Sequence, residues 1–196
     1  MRKKWLVPYV LLVVLILSAC SGGFKADHSY EIDPFEFTNQ HNEQVSLDDL
    51  KGKVWLAQFV FTECVEACPP MMVNMTDIEK QLTDKGVEDY KIVSFSIDPE
   101  VDTPEAFQEY LALFDIQDPS RWEMLTGFKQ SEIINIAMKS FKTLVADDPN
   151  SNQVIHATYF SLVNQDGKVV KTYSATTDVP YEQIVKDVET LVKEGA

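Results

Sequence analysis

The sequence predicts an α/β domain with a central mixed sheet flanked by helices, and three observations lead to this fold class. Two nearly unbroken apolar segments, residues 53–61 and 91–98, have the character of strands buried on both faces. An amphipathic segment with helical spacing follows each of them. Near the carboxyl terminus, an Asp-Gly step between two further strand-like segments indicates a hairpin, and a last amphipathic helix follows it.

The first elements that the sequence predicts are a small hairpin and a helical turn. Residues 36–46 (EFTNQHNEQVS) indicate a hairpin that turns at Asn39 to Asn42. Ser46 and Asp49 then have the spacing of a capping pair for a short helical turn. The buried strand at 53–61 comes next and leads into a loop that contains two cysteines.

Three amphipathic helices are predicted in the middle of the chain. The first follows the cysteine loop and ends near Gly86, the second opens at Thr103 and Pro104, and the polar segment 146–153 ends the third. Their apolar faces are predicted to comprise Met71, Met75, Ile78 and Leu82 in the first, Phe107, Tyr110, Leu111 and Phe114 in the second, and Ile134, Ala137, Met138 and Phe141 in the third.

The carboxyl-terminal part predicts a hairpin and a closing helix. Residues 154–163 and 168–175 flank the turn at Asn164 to Gly167, and Pro180 begins the helix. Its buried stripe is predicted to comprise Tyr181, Ile184, Val185, Val188, Leu191 and Val192. Strands that alternate with helices pair in parallel, with helices on both faces of the sheet. The closing hairpin and helix make this the arrangement of a thioredoxin-like domain, here with an N-terminal β-hairpin extension.

The first 20 residues have the layout of a secretory signal. Three basic residues precede an apolar run that is shorter than the roughly 20 residues of a membrane span. The exit Leu17-Ser18-Ala19-Cys20 resembles the lipobox of bacterial lipoproteins, which implies that residues 1–19 are removed and that Cys20 is lipidated. A transmembrane anchor and an ordinary cleaved signal are the alternatives, and each places the domain outside the cytoplasm. Residues 20–29 then form a flexible tether, and residues 30–196 form one domain.

The charge of the chain excludes one class of partner. The whole chain carries a net charge of −14. Removal of residues 1–19 leaves 14 basic and 31 acidic residues, a net charge of −17. Nucleic acid is therefore not an expected partner, because its binding depends on neutralisation of phosphates by Lys and Arg. The acidity favours cationic ligands and basic surfaces, but it is equally what keeps an exported domain soluble.

The stretch FTECVEACPP contains two of the three cysteines of the chain. It lies where a predicted central strand gives way to a helix, which is where chemistry concentrates in open α/β sheets. Pro69 and Pro70 are typical of a first helical turn, so Cys64 and Cys68 are expected on the loop before the regular helix. The partial positive charge of the helix N-terminus is expected to favour their thiolates.

Three uses of this pair are open from the residues alone. A structural disulfide would close a very short loop, which gives little entropic stabilisation. A dithiol–disulfide redox couple suits an exported protein, although the usual redox spacing is CxxC and this is CxxxC. Thiolates also select soft metals such as Cu(I) or Zn, but two sulfurs alone make an open site.

A third metal ligand is sought among the three histidines. His28 falls on the predicted tether and His41 in a predicted turn, so both are expected to be exposed. His156 begins a predicted strand, and in a thioredoxin-like layout it would lie beside the cysteine loop. A lone strand histidine is also a common structural residue. The sulfurs of Met71, Met72 and Met75 are soft as well, but their helical spacing favours a role in the core.

Three segments together resemble the Sco/SenC family. FTECVEACPP resembles its (F/Y)TxCxxxCP motif, SIDPEVDTPE its SxDPxxDTP segment, and VIHATYFSLVNQDGKVV its later histidine strand and DG hairpin. The resemblance extends from about Tyr30 to the carboxyl terminus. It implies a membrane-tethered, thioredoxin-like copper protein that helps to assemble the binuclear copper site of cytochrome c oxidase subunit II. By this resemblance the metal ligands are Cys64, Cys68 and His156, with Asp98 as a supporting residue near the metal. A helix N-cap or turn role for Asp98, beside Pro99, is the alternative.

Two functions follow from the resemblance. The first is a metallochaperone, not an enzyme, that binds one copper ion, Cu(I) or Cu(II), and transfers it to the oxidase subunit. The second is a thiol–disulfide reductase whose redox-active Cys64 and Cys68 keep the cysteines of that subunit reduced, with a reductant protein as a further partner. A peroxidase of the peroxiredoxin type is a distant third, because the PxxxTxxC signature is absent around Cys64. We expect a monomer held by its lipid on the extracytoplasmic face of the cell membrane.

Overall fold

The computed structural model describes residues 23–147, 154–156 and 158–195. Its strands are β1 (Tyr30–Glu31), β2 (Glu36–Thr38), β3 (Gln44–Ser46), β4 (Val54–Val60), β5 (Tyr90–Ser96), β6 (Trp122–Leu125), β7 (Val145–Asp147), β8 (Val154–His156), β9 (Tyr159–Val163) and β10 (Lys168–Ser174). Its helices are α1 (Leu47–Leu50), α2 (Cys68–Asp84), α3 (Pro104–Leu111), α4 (Gln130–Lys139) and α5 (Tyr181–Glu194), with a 3-10 turn at Pro119–Arg121.

Six strands form the central sheet, in the order β1-β10-β9-β4-β5-β6. The strands β4, β5 and β6 are parallel, whereas β9, β10 and β1 join them by antiparallel pairs. All seven residues of β4 are buried, which is what its continuous apolar sequence predicts for a strand covered on both faces. The predicted α/β class, with a mixed thioredoxin-like sheet between helices, is confirmed.

The predicted N-terminal hairpin is also confirmed, and it closes one edge of the central sheet. In β2 and β3, Phe37 pairs with Val45. The turn between them sends Gln40 toward the edge strand β6, where its amide donates to the carbonyl of Trp122 at 2.7 Å and accepts from the N–H of Met124 at 2.8 Å. A buried side chain thus makes both hydrogen bonds that a neighbouring strand would make.

Aromatic rings fill the core on one face of β4 and β5. Phe95 lies at the centre, with ring centroids 5.5 Å from Phe35, 5.4 Å from Phe59 and 5.6 Å from Phe141. The pairs with Phe35 and Phe141 are edge-to-face, the arrangement that the ring quadrupoles favour. This cluster supports β4, whose carboxyl end leads into the cysteine loop, and its neighbour β5.

The predicted face of the third helix is partly wrong. In α4 the buried residues are Ile133, Ile136 and Ala137, while Met138 is 52% exposed. Phe141 is buried, but it lies beyond the end of the helix. Two adjacent isoleucines allow two helical registers, and packing selects the one that places Ile133 with Ile136 and Ala137 on one face.

The predicted long strand at 154–163 is two strands. β9 pairs with β4 and β10 in the central sheet, whereas β8 pairs with β7 in a separate two-stranded sheet, where His156 is opposite Val145. His156 therefore lies outside the central sheet, contrary to the sequence prediction. Residues 148–153, which are most of the predicted loop, lie outside the described residues, and so does Ala157.

Within the described ranges, no helix is both long enough and apolar enough to cross a bilayer. The predicted signal at 1–19 and the predicted lipidation site Cys20 lie outside those ranges. The segment 23–29, predicted as part of the tether, follows the domain surface. The N–H groups of Asp27 and His28 donate to the carbonyl of Val170 in β10, and the N–H of Phe24 donates to Glu194.

Candidate functional site

The cysteine loop lies at the carboxyl end of β4, as predicted, but Cys68 is not on the loop. It is the first residue of α2, and Pro69 and Pro70 follow it in the first turn. The N–H of Cys68 donates to Sγ of Cys64 at 3.2 Å, so a sulfur caps the helix where Ala67 offers no side-chain cap. The two prolines have no N–H, and the N–H of Met71 donates to the carbonyl of Ala67.

This N-terminus gives little support to the thiolate that was expected at Cys68. The N–H of Cys68 donates to the sulfur of Cys64, the N–H of Met71 donates to Ala67, and the two prolines have no N–H, so the first turn leaves no further N–H for the Cys68 sulfur. The pKa of the Cys68 thiol is raised, first by its hydrogen bond with the Cys64 thiol, then by burial and by the charge of Cys64. The prediction of a stabilised thiolate is therefore wrong for Cys68, which holds its proton at neutral pH.

Cys64 and Cys68 are both present as thiols, and they differ in exposure. The side chain of Cys64 is 8% exposed and that of Cys68 is 0% exposed. A reagent or a partner protein therefore reaches Cys64 first. Two soft sulfur donors, one at the surface and one beneath it, lie within hydrogen-bond distance of each other at the edge of the sheet.

A buried carboxylate that the sequence analysis missed supports this loop. Oδ1 of Asp102 accepts from the N–H of Thr62 at 2.9 Å and from its hydroxyl at 2.7 Å. Oδ2 accepts from the hydroxyl of Ser96 at 2.6 Å. Asp102 is 0% exposed, and burial raises its pKa although these hydrogen bonds lower it. It ties the residue two positions before Cys64 to the end of β5.

The main chain of Asp102 extends the same network. Its carbonyl accepts from the hydroxyl of Thr126 at 2.5 Å, which adds the end of β6 to those of β4 and β5. Asp102 belongs to the segment SIDPEVDTPE, so the sequence did mark the region in which this connecting carboxylate lies. Local patterns could not reveal it, because its side-chain partner Thr62 is 40 residues away.

Asp98 lies on the turn that precedes Asp102. Its carbonyl accepts from the N–H groups of Val101 and Asp102 at 3.1 Å and 2.9 Å, and its own N–H donates to Ser96 at 3.1 Å. The turn role, one of the two predicted alternatives, is therefore present in the main chain. A role of the half-buried Asp98 side chain near a metal stays a prediction.

The methionines beyond the cysteines are in the core, as predicted. Met71, Met72 and Met75 are each 0% exposed. Met72 lies four residues after Cys68, and its sulfur accepts from the buried amide of Gln58 at 3.2 Å. The same amide donates to Ser94 at 2.9 Å. The thioether is thus held by β4, which agrees with a packing role.

The histidines are only partly as predicted. His41 is exposed, but His28 is half-buried and stacks on Tyr30 with ring centroids 4.4 Å apart. Burial lowers the pKa of His28, against the opposing charge of Asp27. The main chain of His156 is described in β8, but its imidazole lies outside the described side chains. Among those that are described, no three His, Cys, Asp or Glu residues form a metal-binding group.

A family model described as SCO1/SenC matches residues 25–193. The chain belongs to the SCO1/SenC family. A SCO1 protein homolog from Bacillus subtilis is 45% identical over 179 residues, which cover 91% of this chain and 92% of the relative. The predicted family is therefore confirmed.

Solved structures of this SCO1/SenC family share the fold. A SCO1/SenC family lipoprotein from Bacillus anthracis has a TM-score of 0.80 at 39% identity, with 85% of this chain and 98% of that chain covered. BsSco, described as having a disulfide switch and as a member of the Sco family of cytochrome c oxidase assembly proteins, has a TM-score of 0.78 at 44% identity, with coverages of 86% and 97%. ScoI of Bradyrhizobium japonicum, solved with copper bound, has a TM-score of 0.69 at 25% identity, with coverages of 82% and 99%.

Proposed function

We propose that this chain is a copper chaperone for cytochrome c oxidase assembly, with subunit II as the receiving partner. The observation that carries the proposal is the pair of sulfur donors of Cys64 and Cys68, one of them fully buried, at the carboxyl edge of the central sheet. Thiolates select Cu(I), and the family relatives include a ScoI with copper bound. His156 is the proposed third ligand, and an imidazole would allow the site to hold Cu(II) as well.

The donor set fits a soft cation. The buried carboxylate of Asp102 lies near the cysteines, and its charge is one of the causes that raise the pKa of both Cys68 and Tyr110. A nearby negative charge disfavours thiolates alone but favours a metal cation bound between them. Copper in this site would supply the cargo that the chaperone transfers. The chain's own residues release the thiol protons, hold the two sulfurs and orient the imidazole.

The redox state of Cys64 and Cys68 is expected to determine whether the site can bind copper. If the two thiols are oxidised to a disulfide, two electrons go to the oxidant, two protons are released, and both sulfur ligands are lost to the metal. Copper binding is therefore expected only for the dithiol. Titration of reduced and diamide-oxidised protein with copper tests this expectation. One copper per reduced domain and none per oxidised domain is the expected result, and equal stoichiometry in the two forms would contradict the assignment.

The role of His156 is tested by His156→Ala. The fold and the reversible disulfide are expected to persist, because β8 lies outside the central sheet and both sulfurs remain. Stable Cu(II) binding is expected to disappear, since a site of two sulfurs is better suited to Cu(I). His41→Ala is the matched control, because His41 is exposed on the hairpin turn. Cu(II) binding that survives in His156→Ala would remove this histidine from the ligand set.

A thiol–disulfide reductase is the second candidate, and the unequal exposure of the sulfurs favours it. Cys64 would attack a disulfide of the oxidase subunit to form a mixed disulfide, and Cys68 would then displace the subunit's thiol. The subunit gains two thiols, the chain gains a disulfide, and a reductant protein must restore the pair. Related BsSco is described as having a disulfide switch.

The two candidates differ in how a strain lacking this protein is rescued. If copper supply is lost, added copper is expected to restore part of the oxidase activity and a small thiol reductant is not. If reduction is lost, the reductant restores activity and copper does not. A His156→Ala strain separates them further, because a reductase tolerates this change and a chaperone does not. We expect copper rescue and a defective His156→Ala strain, and the reverse pattern would favour the reductase.

The location and assembly state belong to the same proposal. We expect Cys20 to be lipidated and the domain 30–196 to be a monomer on the extracytoplasmic face of the membrane, because the first 20 residues have the lipoprotein signal layout and a family relative is described as a lipoprotein. Mass spectrometry of the mature chain tests the lipid. A chain that still contains residues 1–19 would contradict the anchor.

A further inference from the structure

One polar group beside the cysteine loop has no role in the proposed site. Tyr110 lies on α3, and only 6% of the residue is exposed. Its hydroxyl is buried and has no hydrogen-bond partner within the part of the chain that the structure describes. Buried tyrosine hydroxyls usually find a partner, and an unsatisfied one in a folded protein calls for an explanation.

The placement of α3 brings Tyr110 near the cysteine loop. The helix begins directly after Asp102, with Thr103 as its cap, and Asp102 is bonded to Thr62 at the start of the cysteine loop. Helical side chains point back toward the helix N-terminus, so the ring of Tyr110 extends toward that anchor. Burial raises the pKa of the Tyr110 phenol, and the neighbouring Cys68, Cys64 and Asp102 raise it further.

Packing alone does not explain a tyrosine at this position. Its ring packs edge-to-face against Phe114 with centroids 5.1 Å apart, and Phe107 on the same helix is fully buried without a hydroxyl. A phenylalanine would make the same ring contacts and would leave no polar group unpaired. The hydroxyl therefore adds a desolvation penalty in the dithiol form without a hydrogen bond to offset it.

The hydrogen-bond acceptors near Tyr110 indicate in which state of the site its hydroxyl can find a partner. The oxygens of Asp102 already accept three hydrogen bonds from Thr62 and Ser96. In the dithiol, the two sulfurs hydrogen-bond with each other. When metal replaces the thiol protons, that mutual hydrogen bond is lost and the sulfurs become anionic acceptors, which take stronger hydrogen bonds than neutral ones.

We infer that Tyr110 is a positioning residue for the metal-loaded site, and that its hydroxyl donates a hydrogen bond to a sulfur of the Cys64–Cys68 pair once metal has displaced the thiol protons. This inference rests on the proposed metal-binding function and adds a donor to it. The hydroxyl is a hydrogen-bond donor held in place for the loaded state. It stabilises the charge on sulfur together with the N–H of Cys68, which already donates to Cys64.

The variant Tyr110→Phe removes only the hydroxyl. The reduced, metal-free variant is expected to be at least as stable to urea as the wild type, because the buried hydroxyl has no partner to lose. Its affinity for Cu(I) and for Cd(II), measured by competition with a chelator, is expected to fall about tenfold to a hundredfold, the effect of one hydrogen bond to a charged group. The sulfur-to-Cu(II) charge-transfer band is expected to move to longer wavelength, since a sulfur without the hydrogen bond gives up its electron more easily.

Tyr173→Phe is the matched control. The hydroxyl of Tyr173 is also buried, but it donates to Asp187 at 2.8 Å, on the side of the sheet where α5 packs. This variant is expected to lose stability to urea and to keep the metal affinity and the charge-transfer band of the wild type. The two variants thus make opposite predictions for stability and for metal binding, which a general loosening of the fold would not produce.

Three results would overturn the inference. Equal affinities of wild type and Tyr110→Phe for both metals, with an unchanged band, would exclude the donor while leaving the proposed function intact. A metal-free Tyr110→Phe variant that is less stable than the wild type would give the hydroxyl a structural role instead. A wild-type protein that binds neither Cu(I) nor Cd(II) would overturn the proposed function itself, and the inference with it.

Discussion

Asp102 is the residue whose removal best tests how the cysteine loop is held. In Asp102→Ala, three donors lose their acceptor: the N–H and hydroxyl of Thr62 and the hydroxyl of Ser96. Hydrogen bonds to a charged group each contribute about 1.5–3 kcal/mol. The unfavourable burial of the charge, which raises the pKa of Asp102, is relieved by the same change and offsets part of this sum. We expect a net loss of about 3 kcal/mol in the free energy of unfolding.

Urea denaturation of the reduced, metal-free domain measures this loss. With a slope of about 2 kcal/mol per molar urea, 3 kcal/mol lowers the midpoint by about 1.5 M. Asp102→Asn is the matched variant, because its Oδ1 can still accept from Thr62 and its Nδ2 can donate to the oxygen of Ser96. We expect it to cost only about 1 kcal/mol. A loss below about 1 kcal/mol for Asp102→Ala, or equal losses for the two variants, would refute the reasoning from hydrogen bonds.

The same pair of proteins gives a pH test. The pKa of Asp102 is raised above its ordinary value of 3.8 in the folded protein. At pH values between the ordinary pKa and the raised one, the folded protein keeps a proton that the unfolded chain has lost. Stability from this group is therefore present at acidic pH and is lost as the pH rises through the window. Asparagine does not titrate, so the destabilisation caused by Asp102→Asn is expected to be larger at acidic than at neutral pH. A difference that grows as the pH rises would contradict the raised pKa.

Three further predictions follow from the fold and the site. Because the pKa of the Cys68 thiol is raised, copper must displace its proton, and the affinity for Cu(I) is expected to rise with pH. Chelator competition at about pH 6 and about pH 8 measures this rise. An affinity that does not change with pH would contradict the prediction. Gln40→Ala is expected to cost about 1–2 kcal/mol and to speed amide exchange at Met124, whose N–H loses its acceptor; unchanged exchange there would exclude the edge role of Gln40. Phe95→Ala is expected to cost about 3–5 kcal/mol in urea denaturation, and a loss under about 1 kcal/mol would mean that the aromatic cluster collapses to fill the space.

The parts of the fold with strong local patterns could be predicted from the sequence. β4 is apolar along its whole length, and the capping pair of Ser46 and Asp49 forms as expected. β6 was missed because it is four residues long and contains Glu123, so it has no pattern of its own. Its strand character comes from pairing with β5, which is a tertiary interaction.

In the candidate site, too, the features with a local sequence pattern could be predicted and those set by tertiary contacts could not. Cys64 and Cys68 could be found from their spacing and from the prolines that follow. The raised pKa of Cys68 could not be predicted, because it comes first from the hydrogen bond with Cys64 and then from burial, which the spacing does not show. Asp102 and Tyr110 could not be found either. Their importance depends on contacts with the loop that chain proximity does not show.

The split between β8 and β9 has a mechanical consequence. The sulfurs lie at the carboxyl edge of the central sheet, where Asp102 joins the ends of three strands. The main chain of His156 belongs to the β7–β8 sheet, whose strands pair only with each other among the described residues. β7 contacts α4, and its Val145 is buried. A proposed ligand set divided in this way joins two separate sheets, so a change at the histidine breaks no hydrogen bond of the central one. If the proposed ligands are correct, a receiving protein could replace the histidine first, while the two sulfurs and their support by Asp102 stay in place.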